Sequence, residues 1–448
     1  MRTTANVVAL KPASRPENRR PQSSGHAEPT PSAACSRGVP QLFSAGAYGY
    51  FEATDDLTPW CSAQFLAKAH KRTPVFMRFT VPSGGRHVAD GAREIYGIAL
   101  KLHTEQGVYD IIGGNMPLFF IRDPAKYESL VRSQKTHSVL NRKDPNRIWD
   151  FLSRTPEATS LLTLLFSDDG TPRSFRHMDA YGAHVARWVN QAGETVWVKY
   201  HFETEQGKEN IDLKRAMQRA ADNPNYTTWD LLTTLNKGGT AAWRMLVQIM
   251  PDEDAAACPF DPCDPTRIWP VTDYPLIPAG RLVLNRNPED YARTVGEASF
   301  SPAHVVPGIG LPANSMLPYL AAWHTNTRNA TPLHLQPQLD GLDADNPHML
   351  KATTEATRPH DDYAQAGAYF RALSEDAKTH LATNIVHALQ LAERDIQLRQ
   401  LAHFTQADND YGLRIARGLN LATMMPADVD AAVSSALREH SHDRSCAI

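Results

Sequence analysis

Four side chains stand out for the chemistry they can do. Arg78 lies inside the apolar run Val75-Phe76-Met77-Arg78-Phe79-Thr80-Val81. A guanidinium in such surroundings needs a counter-charge. Asn115 follows Gly113-Gly114; it reads as a polar contact in an apolar pocket or as a turn residue. His324 ends the stretch Leu320-Ala321-Ala322-Trp323-His324. Neutral imidazole is a metal ligand, and its second nitrogen wants an acceptor. Isolated histidines are usually structural, so a core or capping role is the alternative. Gln41 carries an amide that donates or accepts a hydrogen bond but takes no proton at neutral pH.

Composition bounds the setting. The chain has 448 residues, 42% hydrophobic and 21% charged, enough for a sizeable core. A net charge of −3 gives no basic face for nucleic acid. No apolar run approaches the roughly 18 residues of a spanning helix. The first residues carry no secretion signal, so a reducing cytoplasm is expected. Of the cysteines, only Cys258 and Cys263 are near each other, and no second pair completes a zinc site. Free thiols are expected, with a disulfide there as the alternative.

The elements that must position these residues begin with strands. Val75 to Val81, Tyr96 to His103, Val108 to Ile112, Thr195 to Phe202, Ala242 to Met250 and Leu282 to Leu284 carry apolar runs bounded by turn residues. Many short strands suggest an antiparallel barrel. Helices are expected over Pro124 to Gln134, Asn146 to Arg154, Tyr363 to Leu373, Ser374 to Arg394 and Ala407 to Leu419. Ser374 with Glu375-Asp376 is a helix start, and Gly418 a stop.

Longer strings carry a resemblance. Phe79-Thr80-Val81 with Ala89-Asp90, Asp110 to Pro117, Phe119-Phe120-Ile121-Arg122-Asp123, Arg176-His177-Met178, Asp273 to Pro278 and Leu284 to Pro288 resemble the heme catalases. The resemblance covers roughly residues 37–435 and implies an α+β fold, an antiparallel β-barrel with a wrapping segment and a C-terminal helical region. The expected organisation is a disordered arm (1–36), a barrel heme domain (37–285), a wrapping segment with the proximal ligand (286–360), C-terminal helices (361–436) and a tail (437–448).

The resemblance also implies roles. Ala45 to Glu52 matches the segment after the family's catalytic histidine, which falls on Gln41. The arginine before it falls on Gly38, beside Arg37. The distal asparagine maps onto Asn115 and the aromatic ring over the porphyrin onto Tyr127. Arg78 maps onto an arginine that binds a heme propionate; a buried carboxylate partner is the alternative. The channel acid maps onto Glu94, and the channel valine onto Pro82. His87 replaces a loop glycine. The proximal tyrosine becomes His324 and its arginine Leu320, with Asn326 and Thr327 fixing the register. A second family arginine maps onto Arg328 or is absent.

These exchanges are chemically coherent. An arginine would face the imidazole N–H donor to donor, and Leu320 removes that conflict. Neutral histidine ligation favours ferrous iron more than a phenolate does. Without a base at Gln41, peroxide cleavage loses a service worth about 10²–10⁴-fold. The expectation is a heme b oxidoreductase that uses peroxide or O2 on a small organic substrate in specialised metabolism. The alternatives are a weak catalase or peroxidase, and a non-enzymatic heme-binding relative. Homodimers or homotetramers fit the family; nucleic acid and membrane do not.

Overall fold

The computed structural model describes residues 44–81, 90–135, 143–312, 314–325 and 360–421. Gln41, Pro82, His87 and Arg328 lie outside the described residues, as do the expected arm and tail.

The chain forms a closed antiparallel barrel with a helical layer on its flank. Strands β1 (Ser44–Ala53), β2 (Arg72–Thr80), β3 (Gly97–Thr104) and β4 (Gly107–Gly114) follow one another as neighbours. Next come β5 (Ala180–Gly182), β6 (Ala186–Val189), β7 (Thr195–Thr204), β8 (Ala241–Pro251), β9 (Ile277–Arg286) and β10 (Ile309–Gly310). The sheet runs β10-β6-β7-β5-β4-β3-β2-β1-β9-β8, and β7 also pairs with β8. That pairing closes a ring of eight strands and removes their open edges. The barrel is filled by one face of each strand, including Val75, Met77, Phe79, Leu100, Trp188, Trp243 and Leu284.

Short helices cross the outside: α1 (Tyr127–Ser133), α2 (Pro145–Ser153), α3 (Thr159–Phe166), α4 (Leu213–Asp222), α5 (Tyr226–Asn236), α6 (Asp252–Ala257) and α7 (Leu317–His324). Asp144 caps α2 by accepting from Asn146 N at 3.0 Å, with Pro145 preset in the first turn. The C-terminal layer is α8 (Ala364–Ala372), α9 (Glu375–Leu389), α10 (Arg394–Ala407) and α11 (Asn409–Gly418). Ser374 caps α9 through Ala377 N, and α11 ends at Gly418. These helices and α1 to α3 share a second apolar core with α7.

One expectation is corrected. The helix expected from Ser374 to Arg394 stops at Leu389. Gln397 Nε2 donates to Ala392 O at 2.8 Å, and Glu393 N donates to Asn146 Oδ1 at 2.8 Å, which fixes the break against α2. A separate helix, α10, then begins at Arg394. Its buried face includes Gln397, Gln400 and His403, so its apolar period is broken in the sequence.

Candidate functional site

Strand parity decides what faces the site. On β2, Val75, Met77 and Phe79 point into the barrel, so Phe76, Arg78 and Thr80 point outward. The register continues that face across the sheet. Arg78 pairs with Ala99 and Ala99 with Ile112; Thr80 pairs with Gly97 and Gly97 with Gly114. Phe76, Ala99 and Ile112 pack under Val295, Phe300 and Ala321 of α7 and the segment before it.

The end of α7 rests on the two glycines. A Cβ at Gly97 would stand 2.1 Å from the His324 carbonyl oxygen. One at Gly114 would stand 2.8 Å from Cε1 and 2.9 Å from Nδ1 of the His324 ring. Neither approach is open to a larger residue without backbone or ring movement. The glycine pair is therefore the seat of α7, a role the sequence reading did not assign.

His324 is 3% exposed. Burial, with a smaller contribution from His184, pushes its imidazole down to about 3, so the ring is neutral. Its Nδ1 is buried without a hydrogen-bond partner, so the expected acceptor is not found among the described residues. Its ring centroid lies 6.1 Å from that of Phe119. Leu320 is buried in the apolar layer one turn earlier.

Arg78 Nη1 donates to Ala298 O at 2.9 Å and Nη2 to Thr325 O at 3.1 Å. The guanidinium carbon lies 4.9 Å from the centroid of the Phe300 ring. Nε is buried without a partner, and no carboxylate among the described residues pairs with the group. Burial pulls its pKa down to about 10. The carbonyl just after α7 carries the partial negative charge of a helix C-terminus and offsets some of this cost.

Asn115 is not on that face. Its Oδ1 accepts from Tyr96 N at 2.9 Å, and its Nδ2 is buried without a partner. Its side chain lines a separate cavity of about 210 Å³ beside Asp169, Lys208 and Tyr369. The β4 residue that faces His324 is Gly114, one position earlier. Strand alternation was the available signal for this. Tyr127 is buried with its ring 4.9 Å from Tyr319 on α7, so it packs behind the helix that carries His324. Glu94 accepts from Lys143 Nζ at 2.8 Å and lines a cavity of about 320 Å³ that also touches Phe120 and Trp323. Phe119, Phe120 and Trp323 form an edge-to-face cluster with centroids 5.5 to 5.7 Å apart, between that cavity and His324.

Cys258 and Cys263 are buried and are not joined by a disulfide. Among the described residues, no cluster of three or more His, Cys, Asp or Glu could hold a metal ion. No described helix is long and apolar enough to cross a membrane.

Comparisons with known proteins agree with this architecture. The family described as catalase matches residues 40–329, and that described as catalase-related immune-responsive matches residues 356–419. The chain is 39% identical over 425 residues to "Catalase-A" of Dictyostelium discoideum, covering 84% of this chain and 86% of the relative. It is 40% identical over 422 residues to "Catalase" of Methanosarcina barkeri, covering 84% of each. A solved bacterial catalase superposes with a TM-score of 0.75 at 29% identity, over 85% of this chain and 86% of that one. With a family match across the barrel, a second across the helical layer and relatives aligned over most of their length, the chain belongs to the catalase family.

Proposed function

We propose that this protein is a histidine-ligated heme oxidoreductase that uses peroxide or O2 to oxidise or rearrange a small organic substrate in specialised metabolism. The observation that carries this reading is His324, a buried, neutral imidazole with an unpartnered nitrogen, which the sequence resemblance maps onto the family's tyrosine ligand. The donor chemistry fits a heme. With no metal cluster among the described residues, an iron there would take its remaining ligands from a porphyrin. Arg78, a buried cation without a carboxylate, suits a propionate. Gly114 already touches the imidazole, so a macrocycle between them requires α7 to stand off from β4.

Bound heme b would supply a redox-active iron. The chain's own residues would do the rest. His324 would hold the iron, Arg78 and Arg328 would seat the propionates, and Tyr127 would pack against the cofactor layer. Gln41 would orient a substrate through its amide without moving a proton. The aromatic cluster of Phe119, Phe120 and Trp323 would exclude water.

Ferric and ferrous optical spectra of the purified protein and of His324→Ala test this. The variant should lose most heme or shift its spectrum strongly; an unchanged spectrum transfers the ligand role elsewhere. Oxygen release from peroxide should lie at least about 10²–10⁴-fold below an ordinary catalase, the general-base share alone. Gln41→His should raise it. The second reading is a working catalase. It is favoured by relatives named "Catalase" that align over 84% of the chain, and oxygen release at ordinary catalase rates would establish it.

A further inference from the structure

The cavity of about 320 Å³ behind Trp323 lies between the barrel and the helical layer. Its volume is in the range of small-ligand sites. Two kinds of residue line it. Phe120, Trp149, Phe166 and Trp323 supply aromatic walls, with Leu162 and Leu165 beneath. Trp149 stacks on Phe166 at 5.7 Å and 29°. At one end stand Arg93, Glu94 and Lys143. Lys143 is bonded to Glu94 at 2.8 Å, so those two charges cancel. Arg93 is different. Its Nη1 donates to the carbonyls of Leu165 and Ser167 at 2.7 and 2.5 Å, and no carboxylate among the described residues bonds it. Asp168 acts on it through space without bonding it, so among the charged side chains that line the cavity Arg93 is the one without a directly bonded carboxylate. Its guanidinium carbon lies 5.8 Å from the centroid of the Phe166 ring, against the aromatic wall.

We propose that this cavity binds aromatic monocarboxylic acids, the ring against Trp149, Phe166 and Trp323 and the carboxylate at Arg93. A buried guanidinium favours an anion over a neutral group, because the anion accepts a charge-assisted hydrogen bond. Flat aromatic walls favour a ring over a flexible chain, which loses more rotamer freedom on binding. The assignment names the substrate class for the oxidoreductase reading and rests on that reading only for what happens after binding.

Binding is measured by calorimetry and by tryptophan fluorescence on the full-length protein and on His324→Ala. The probes are 3-phenylpropionate, its neutral amide and octanoate. Saturable binding of 3-phenylpropionate in both proteins is expected, with the amide weaker by about tenfold or more. Octanoate should also bind more weakly than 3-phenylpropionate. Leu162→Trp or Ala388→Leu, either of which fills the cavity, should abolish binding; the two guard against one variant failing to fold. Arg93→Lys should retain the preference for acid over amide. Equal affinity for acid and amide overturns the charge assignment, and tighter octanoate binding overturns the aromatic one. No binding, or binding untouched by both filling variants, overturns the site itself. Because His324→Ala is assayed in parallel, the site can stand while the heme reading fails, and the reverse.

Discussion

Inside the barrel the buried polar tips close on one another. Tyr109 Oη donates to Tyr200 Oη at 2.8 Å, Trp188 Nε1 donates to the same oxygen at 2.8 Å, and Trp243 Nε1 donates to Met178 O at 3.0 Å. On the outer face of the same sheet, under α7, they do not. Arg78 Nε, Thr80 Oγ1 and His324 Nδ1 are all buried without a partner. Leaving such a group unsatisfied costs about 1–3 kcal/mol. The two regions share strands and differ in how they treat buried polar atoms: the interior pairs them, and the outer face leaves several unpaired.

The largest effect expected from this contrast is in the interior. Trp243 is 1% exposed and packs on Phe79. Trp243→Ala should cost about 3–5 kcal/mol, read from urea unfolding. A loss below about 1 kcal/mol would mean the interior is loosely packed, and the contrast would fail.

Acid should weaken both regions. His201, on the barrel wall with Gln248 at 3.0 Å, and His184, close enough to His324 to affect its charge, are each held down to about 4 by burial. Their ordinary value is 6.5, so between pH 6.5 and 4 the unfolded chain binds more protons than the folded one. Stability therefore rises with pH across that window and is lost as pH falls. Each imidazole contributes a slope on the order of 1 kcal/mol per pH unit. Unfolding free energies from pH 7 to 4 check this, and His201→Asn should flatten the curve. A profile unchanged by His201→Asn and His184→Asn would assign the acid loss to carboxylates instead.

A smaller effect is expected where the regions meet. Gly114→Ala sets a methyl against the His324 ring and should cost about 1–3 kcal/mol through overpacking. If α7 stands off from β4 when heme is bound, the cost should fall in heme-loaded protein. Equal cost in both forms would mean α7 stays seated.

The barrel was legible in the sequence because its strands have one buried face and clear turn residues. β2, β3, β7 and β8 lie within a few residues of their expected ranges. α3 was hidden because all but the last of its residues are buried, leaving no polar face to set a period. At the site, the resemblance assigned His324 and Arg78 to one cofactor, and the structure brings Arg78 Nη2 within 3.1 Å of the Thr325 carbonyl next to His324. The sequence offered Asn115 as a polar pocket contact or a turn residue; that the preceding residue, Gly114, is what meets the His324 ring follows from strand alternation. The seating of α7 on Gly97 and Gly114 is a long-range contact, and nothing local encodes it.

The smallest stability effect expected is the most discriminating. His324→Leu removes a buried imidazole whose Nδ1 has no partner and replaces it with an apolar side chain of similar bulk. If His324 were an ordinary core residue, its polar atoms would be paired and the exchange would cost about 1–3 kcal/mol for the partner left behind. The described structure gives Nδ1 no such partner. In heme-free protein the change should therefore stay within about 1 kcal/mol of zero and could stabilise. The same substitution should abolish the heme spectrum. A stable fold without heme separates a ligand from a core residue. A large destabilisation with heme retained would return His324 to the core and remove the main support for histidine ligation.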